Sequence, residues 1–99
     1  MTDLSKEITA LESSQERNKD YDLWGAKYLA LHDRIAYLAV KKVIPNDVAR
    51  YFDANFAAAL ALVKEQRFQK YESGLGSLIH WCNSNNIQSS VAPKPYSES

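Results

Sequence analysis

Trp24, Tyr28, Leu31, Ile35 and Leu38 recur at alternating four- and three-residue steps. That spacing keeps one side of a 3.6-residue helix apolar over several turns, and a strand cannot use it. The seam predicts a long helix from Tyr21 to Val43. Ala26, Ala30, Ala36 and Ala39 add helix propensity. Asp20 precedes the seam as a candidate N-cap, Asp22 places negative charge in the first turn, and Lys41 and Lys42 place positive charge at the far end. Gly25 is the one fault, costing about 1 kcal/mol relative to alanine; it is either a packing notch that lets something bulky approach or merely tolerated.

Ile44-Pro45 punctuates the chain. Proline disfavours helical geometry at the residue before it and suits the first turn of a new helix. A second long helix is expected from Pro45 to Gln66, with Val48, Phe52, Phe56, Ala59 and Val63 on one face and Leu60 and Leu62 widening it. The pattern weakens over Arg67–Ser73. A shorter helix from about Ser73 to Asn85 then places Leu75, Leu78, Ile79 and Cys82 together, with Trp81 to the side. Near the N-terminus, Leu4, Ile8 and Leu11 mark a weakly amphipathic surface helix from about Asp3 to Arg17, expected to fray or bend after Leu11, where the apolar signal stops. It could dock in cis or pair with another copy.

These elements predict an all-α fold: a bundle of three or four helices with a long antiparallel central pair, because a short connection turns neighbouring helices back on each other. Residues 1–86 form the expected helical domain and 87–99, rich in Ser and Pro, an extended or disordered tail. A chain of 99 residues has room for one core. A domain this small is only modestly stable alone, which favours a partner or a second copy.

Twelve basic residues balance twelve acidic ones. Without a basic excess, nucleic-acid binding would have to rest on a local patch. Zero net charge also removes the self-repulsion that opposes self-association. The lone Cys82 excludes an intrachain disulfide and a multi-thiolate metal site. The longest apolar run, Phe56 to Val63, is far short of the about 20 residues a spanning helix needs. The first residues are polar rather than basic then apolar, so the chain reads as cytoplasmic, with no membrane partner.

Four groups of residues bear on function. Asp47 to Phe56 has the outline of a helix-turn-helix, with Ala49 at a position that favours a small residue. Asp53 stands where glycine is usual, and Phe56, Ala57, Ala58 and Ala61 cannot read base edges. Lys27, Arg34 and Lys41, seven apart, form a basic stripe whose ordinary meaning is a solvated helix face. His32, His80 and Cys82 offer little chemistry. His80 and Cys82 point apart on a helix, no metal-binding or nucleophile motif is present, and two partly exposed imidazoles with a buried thiol are expected. His32-Asp33-Arg34 are sequence neighbours and do not face one another, and Gly74-Leu75-Gly76 lacks the strand and lysine of a phosphate loop. No cofactor or metal is expected.

The aromatic set, Tyr21, Trp24, Tyr28, Tyr37, Tyr51 and Trp81, is the strongest lead, being too large for one buried seam. Tyr37 and Tyr51 fall off the apolar faces of their helices, and exposed aromatics mark contact surfaces. Tyr37, Tyr51 and Trp81, with Lys27, Arg34 and Lys41, are the candidate partner-contact residues.

Asp33-Arg34-Ile35-Ala36, the Val43-Ile44-Pro45 junction and Leu78-Ile79-His80-Trp81-Cys82 resemble sequences in a loose group of uncharacterised small helical proteins from microbes and phages. The likeness spans Trp24 to Cys82. It implies a helical fold and supplies no activity. The expected function is a non-enzymatic protein-interaction module, binding a protein partner or itself as a homodimer. A small helix-turn-helix-like DNA-binding regulator is the alternative.

Overall fold

The computed structural model describes residues 2–95; Met1 and residues 96–99, the end of the expected tail, lie outside the described residues. Six α-helical segments appear among the described residues, with no strand: α1 (Thr2–Glu12), α2 (Glu16–Lys19), α3 (Tyr21–Val40), α4 (Asn46–Ala49), α5 (Asp53–Val63) and α6 (Gly76–Ser84). The segments outnumber the three or four expected because two predicted helices are subdivided. The Cα radius of gyration, 12.8 Å, is that of one compact domain of this length (about 13 Å for 100 residues).

Helix α3 is the organising element. Asp20 caps it, its carboxylate accepting from the Leu23 N–H at 3.2 Å. It ends at Val40, earlier than the seam suggested. Lys42 adopts a left-handed backbone (φ 61°), and the Val43 N–H turns back to the Leu38 carbonyl at 2.9 Å. Its inward face is rotated from the predicted seam. Trp24, Tyr28 and Ile35 are buried as expected, together with Leu29, His32, Ala36 and Ala39, while Leu31 and Leu38 are half-buried at its edges. Small Ala36 and Ala39 let neighbours approach α3, and its most extensive packing is against α6.

The unbroken Pro45–Gln66 helix is corrected. The chain forms α4, a 3-10 turn over Arg50–Phe52, and then α5. A 3-10 turn repeats every three residues, so Ala49 and Phe52 fall on the same side. From Phe52 onward, α-helical steps of four and three carry Phe56, Ala59 and Val63 to that side. All five are buried, and Val48, which a continuous helix would have turned inward, is half-buried. The region where periodicity failed is an unusually long 3-10 segment, Gln66–Gly74, which buries Phe68. Phe56 meets His32, and Phe68 meets Gly25 and Tyr21, so the chain after Pro45 returns along α3.

Helix α1 docks in cis, burying Leu4 and Ile8 in the core. A turn ends it at Ser13 and Ser14, and α2 follows, which is the bend expected after Leu11. Beyond α6, residues 87–95 have no regular secondary structure but lie against the body, where Ala92 and Pro95 are buried.

Candidate protein-contact surface

The aromatic set divides sharply. Tyr21 stacks on Trp24 (5.6 Å between ring centroids, 17° between planes) and Trp24 meets Tyr28 at 5.0 Å. All three are buried, so the seam holds more of the set than its size suggested. Trp81 is also buried, at 6% exposure, which corrects its placement among exposed contact residues. Helix α6 packs against both α3 and α5, so its inward arc is wide enough to take Trp81 beside Leu78 and Cys82. Tyr51 is 83% exposed and Tyr37 49% exposed, as their off-face positions predict.

Tyr51 owes its exposure to the 3-10 turn, which sends Ala49 and Phe52 inward and leaves the intervening ring outside. It stands at the edge of a groove of ≈ 530 Å³ between α1 and the α4–α5 junction. Ile8, Val48 and Phe52 give this groove an apolar floor, and Ser5, Thr9, Glu12 and Asn55 give it a polar margin. Periodicity could not assign these residues to one surface, because the groove exists only once α1 has docked.

The basic stripe is answered within the chain. Lys27 pairs with Glu16 of α2 at 2.8 Å, and Arg34 with Glu7 of α1 at 2.7 Å. Both pairs are solvent-exposed and contribute at most about 1 kcal/mol each. They flank a second groove of ≈ 600 Å³ with Ala10, Leu11, Ala30 and Leu31 along it. Lys41 lies over the Tyr37 ring, 5.7 Å from its centroid, making an exposed cation–aromatic pair. The structure therefore joins Lys41 to Tyr37, directs Lys27 and Arg34 to α2 and α1, and sets Tyr51 apart at the first groove.

His32 departs from expectation: it is fully buried, while His80 is exposed. Its Nδ1 lies 2.7 Å from the Tyr28 carbonyl, which only accepts, so Nδ1 carries the proton. Nε2 is then a lone-pair acceptor, and it has no hydrogen-bond partner among the described residues. Tyr28 lies against the imidazole at 4.2 Å. Burial depresses the pKa to about 4, the bond to the Tyr28 carbonyl opposing it. Burial also lifts the Cys82 thiol to about 11, with Asp53 adding to the rise. Such a thiol is protonated at neutral pH and a poor nucleophile. No group of three or more His, Cys, Asp or Glu side chains among the described residues is arranged to hold a metal ion.

The Asp47–Phe56 segment does break into two helices. However, Phe56 faces the core, and α5 carries no Lys or Arg. Arg50 reaches Asp53 at 2.8 Å and Asn85 at 3.3 Å. No helix among the described residues is long and apolar enough to cross a membrane. No family model, curated protein or solved structure matches the chain.

Proposed function

We propose that the chain is a non-enzymatic protein-interaction module that binds through the groove beside Tyr51, with a second copy of itself as one partner. The observation carrying this reading is the 83% exposure of Tyr51 at the edge of a groove with Ile8, Val48 and Phe52 in its floor. Aromatic side chains are among the residues that most often anchor protein interfaces. Zero net charge favours close approach of a second copy. Tyr37 with Lys41 supplies a second exposed contact pair. In this reading α3 and the broken return leg act as the antiparallel central pair of a bundle, supported by the contacts Phe56 to His32 and Phe68 to Gly25. A cytoplasmic setting fits a chain whose single cysteine is a buried thiol.

Light scattering behind size exclusion tests self-association. One copy weighs 11.2 kDa. The reading expects a mass that rises toward two copies with concentration, and a Tyr51→Ala variant that stays at one. A wild-type mass of one copy at every concentration removes self-association.

The break in Asp47–Phe56 is the observation that favours the competing DNA-binding regulator. Burial of Phe56 and the absence of basic side chains from α5 weigh against it. An electrophoretic shift at low salt decides: the regulator requires a retained duplex complex that Arg50→Ala weakens, and the interaction module requires none.

A further inference from the structure

Residues 87–95 are held to the body mainly by polar contacts, with Ala92 the segment's one member of the apolar core and Ile87 packed against it. The Ser90 N–H donates to the Ala57 carbonyl at 3.1 Å, and Lys64 Nζ donates to Ser89 Oγ at 3.1 Å. The Tyr21 hydroxyl then donates to the Pro93 carbonyl. Arg17 Nε donates to the next carbonyl, that of Lys94, at 2.7 Å. Lys94 Nζ lies 3.5 Å from a Glu65 carboxylate oxygen. Two donors thus address successive backbone carbonyls, and one acid reads the lysine between two prolines.

The receiving groups are braced independently of the segment. Tyr21 stacks on Trp24, and the Arg17 guanidinium lies 5.0 Å from the Trp24 ring centroid. The indole N–H is fixed to the Leu11 carbonyl at 2.6 Å. The segment is suited to being read in extended form. Ala92 and Lys94 each precede a proline, which biases them to extended backbone, and Pro93 and Pro95 have fixed φ and no N–H to satisfy. Recognition of pre-extended proline segments by aromatic surfaces rests on the same physics.

We infer that Arg17, Tyr21 and Glu65 form a receptor for an extended proline–lysine–proline segment, filled in cis by residues 93–95 and open to the same sequence supplied by another protein. Within residues 87–95, Ala92 and Pro95 are the only buried side chains, and the Lys94–Glu65 pair is solvent-exposed on the lysine side. This surface is separate from the Tyr51 groove and stands or falls independently of it.

The test uses the full chain carrying Pro93→Gly and Pro95→Gly, which loosens the tail and leaves the receptor unchanged. The probe is a fluorescent peptide with the sequence of residues 90–95. Anisotropy titration is expected to show saturable binding about tenfold tighter than to the wild type, in which the intact tail competes. Adding Tyr21→Phe keeps the ring stack, drops the donor, and is expected to weaken the peptide several-fold. Equal binding to wild type and variant, or none by a variant that keeps its helical circular dichroism, overturns the inference. A variant that loses its helical signal also overturns it, because the tail is then part of the fold. A variant that doubles in mass without taking up peptide places a second copy at the surface, and the peptide receptor is rejected.

Discussion

Phe68 occupies the space that a side chain on Gly25 would need: a Cβ placed there would lie 2.3 Å from Phe68 Cζ and 2.4 Å from Cε1. The glycine early in α3 is a notch for the one buried residue of the 3-10 segment. Gly25→Ala should therefore destabilise the protein although alanine is the better helix former. Relief of about 1 kcal/mol in propensity opposes overpacking of about 1–3 kcal/mol, and a ring lodged between α3, Tyr21 and Tyr71 has little room to yield. Urea denaturation should show a lowered midpoint. Phe68→Leu combined with Gly25→Ala should lose less than the sum of the two single changes. An additive pair would mean that the ring moves aside freely.

The notch also shows where sequence reading stops. That Gly25 is either a notch for something bulky or a tolerated fault is legible, because a glycine inside a strong helical seam stands out. That the visitor is Phe68 is not, since Phe68 sits among polar residues in a segment with no 3.6-residue period. The same limit explains the break at Arg50–Phe52. One turn of period three cannot be told from one of period 3.6 until burial shows Ala49 inside and Val48 at the edge. Asp20 as a cap, Tyr37 and Tyr51 off their faces, and the bend after Leu11 were legible because each depends on local spacing. Burial of His32 and Trp81, and the groove between α1 and the α4–α5 junction, depend on which elements meet.

His32 makes stability fall in mild acid. Its folded pKa, about 4, is below the ordinary 6.5, so the unfolded chain binds more protons between those values. The contribution is intact above about pH 6.5 and lost progressively as pH falls toward 4, reaching at most about 3 kcal/mol for a shift of this size. Nothing among the described residues accepts a proton from Nε2, so protonation cannot be offset without opening the core. Denaturation midpoints between pH 7 and 4 should drop more steeply for the wild type than for His32→Leu. Parallel slopes would assign the acid sensitivity to carboxylates instead.

Tyr51 and Trp81, grouped together by sequence, should separate on mutation. Tyr51→Ala removes a ring 83% exposed and should change stability by less than about 0.5 kcal/mol. Trp81→Ala empties a core position and should cost about 3–5 kcal/mol, a large share of what a small domain possesses. Thermal melts of the two variants test this directly. A strongly destabilised Tyr51→Ala would show that the ring supports the fold rather than standing free for a partner.

Cys82 should report opening of the core. It is buried, and its thiol is raised to about 11, so native protein at neutral pH offers neither access nor a thiolate. Reaction with an aromatic disulfide reagent should be slow in buffer and fast in denaturant, with a native rate that tracks the population of opened molecules. Gly25→Ala should accelerate labelling by the factor its denaturation midpoint predicts, if opening at α6 is global. Labelling that is rapid in the wild type, or insensitive to Gly25→Ala, would mean that α6 detaches locally while α3 and Phe68 remain packed.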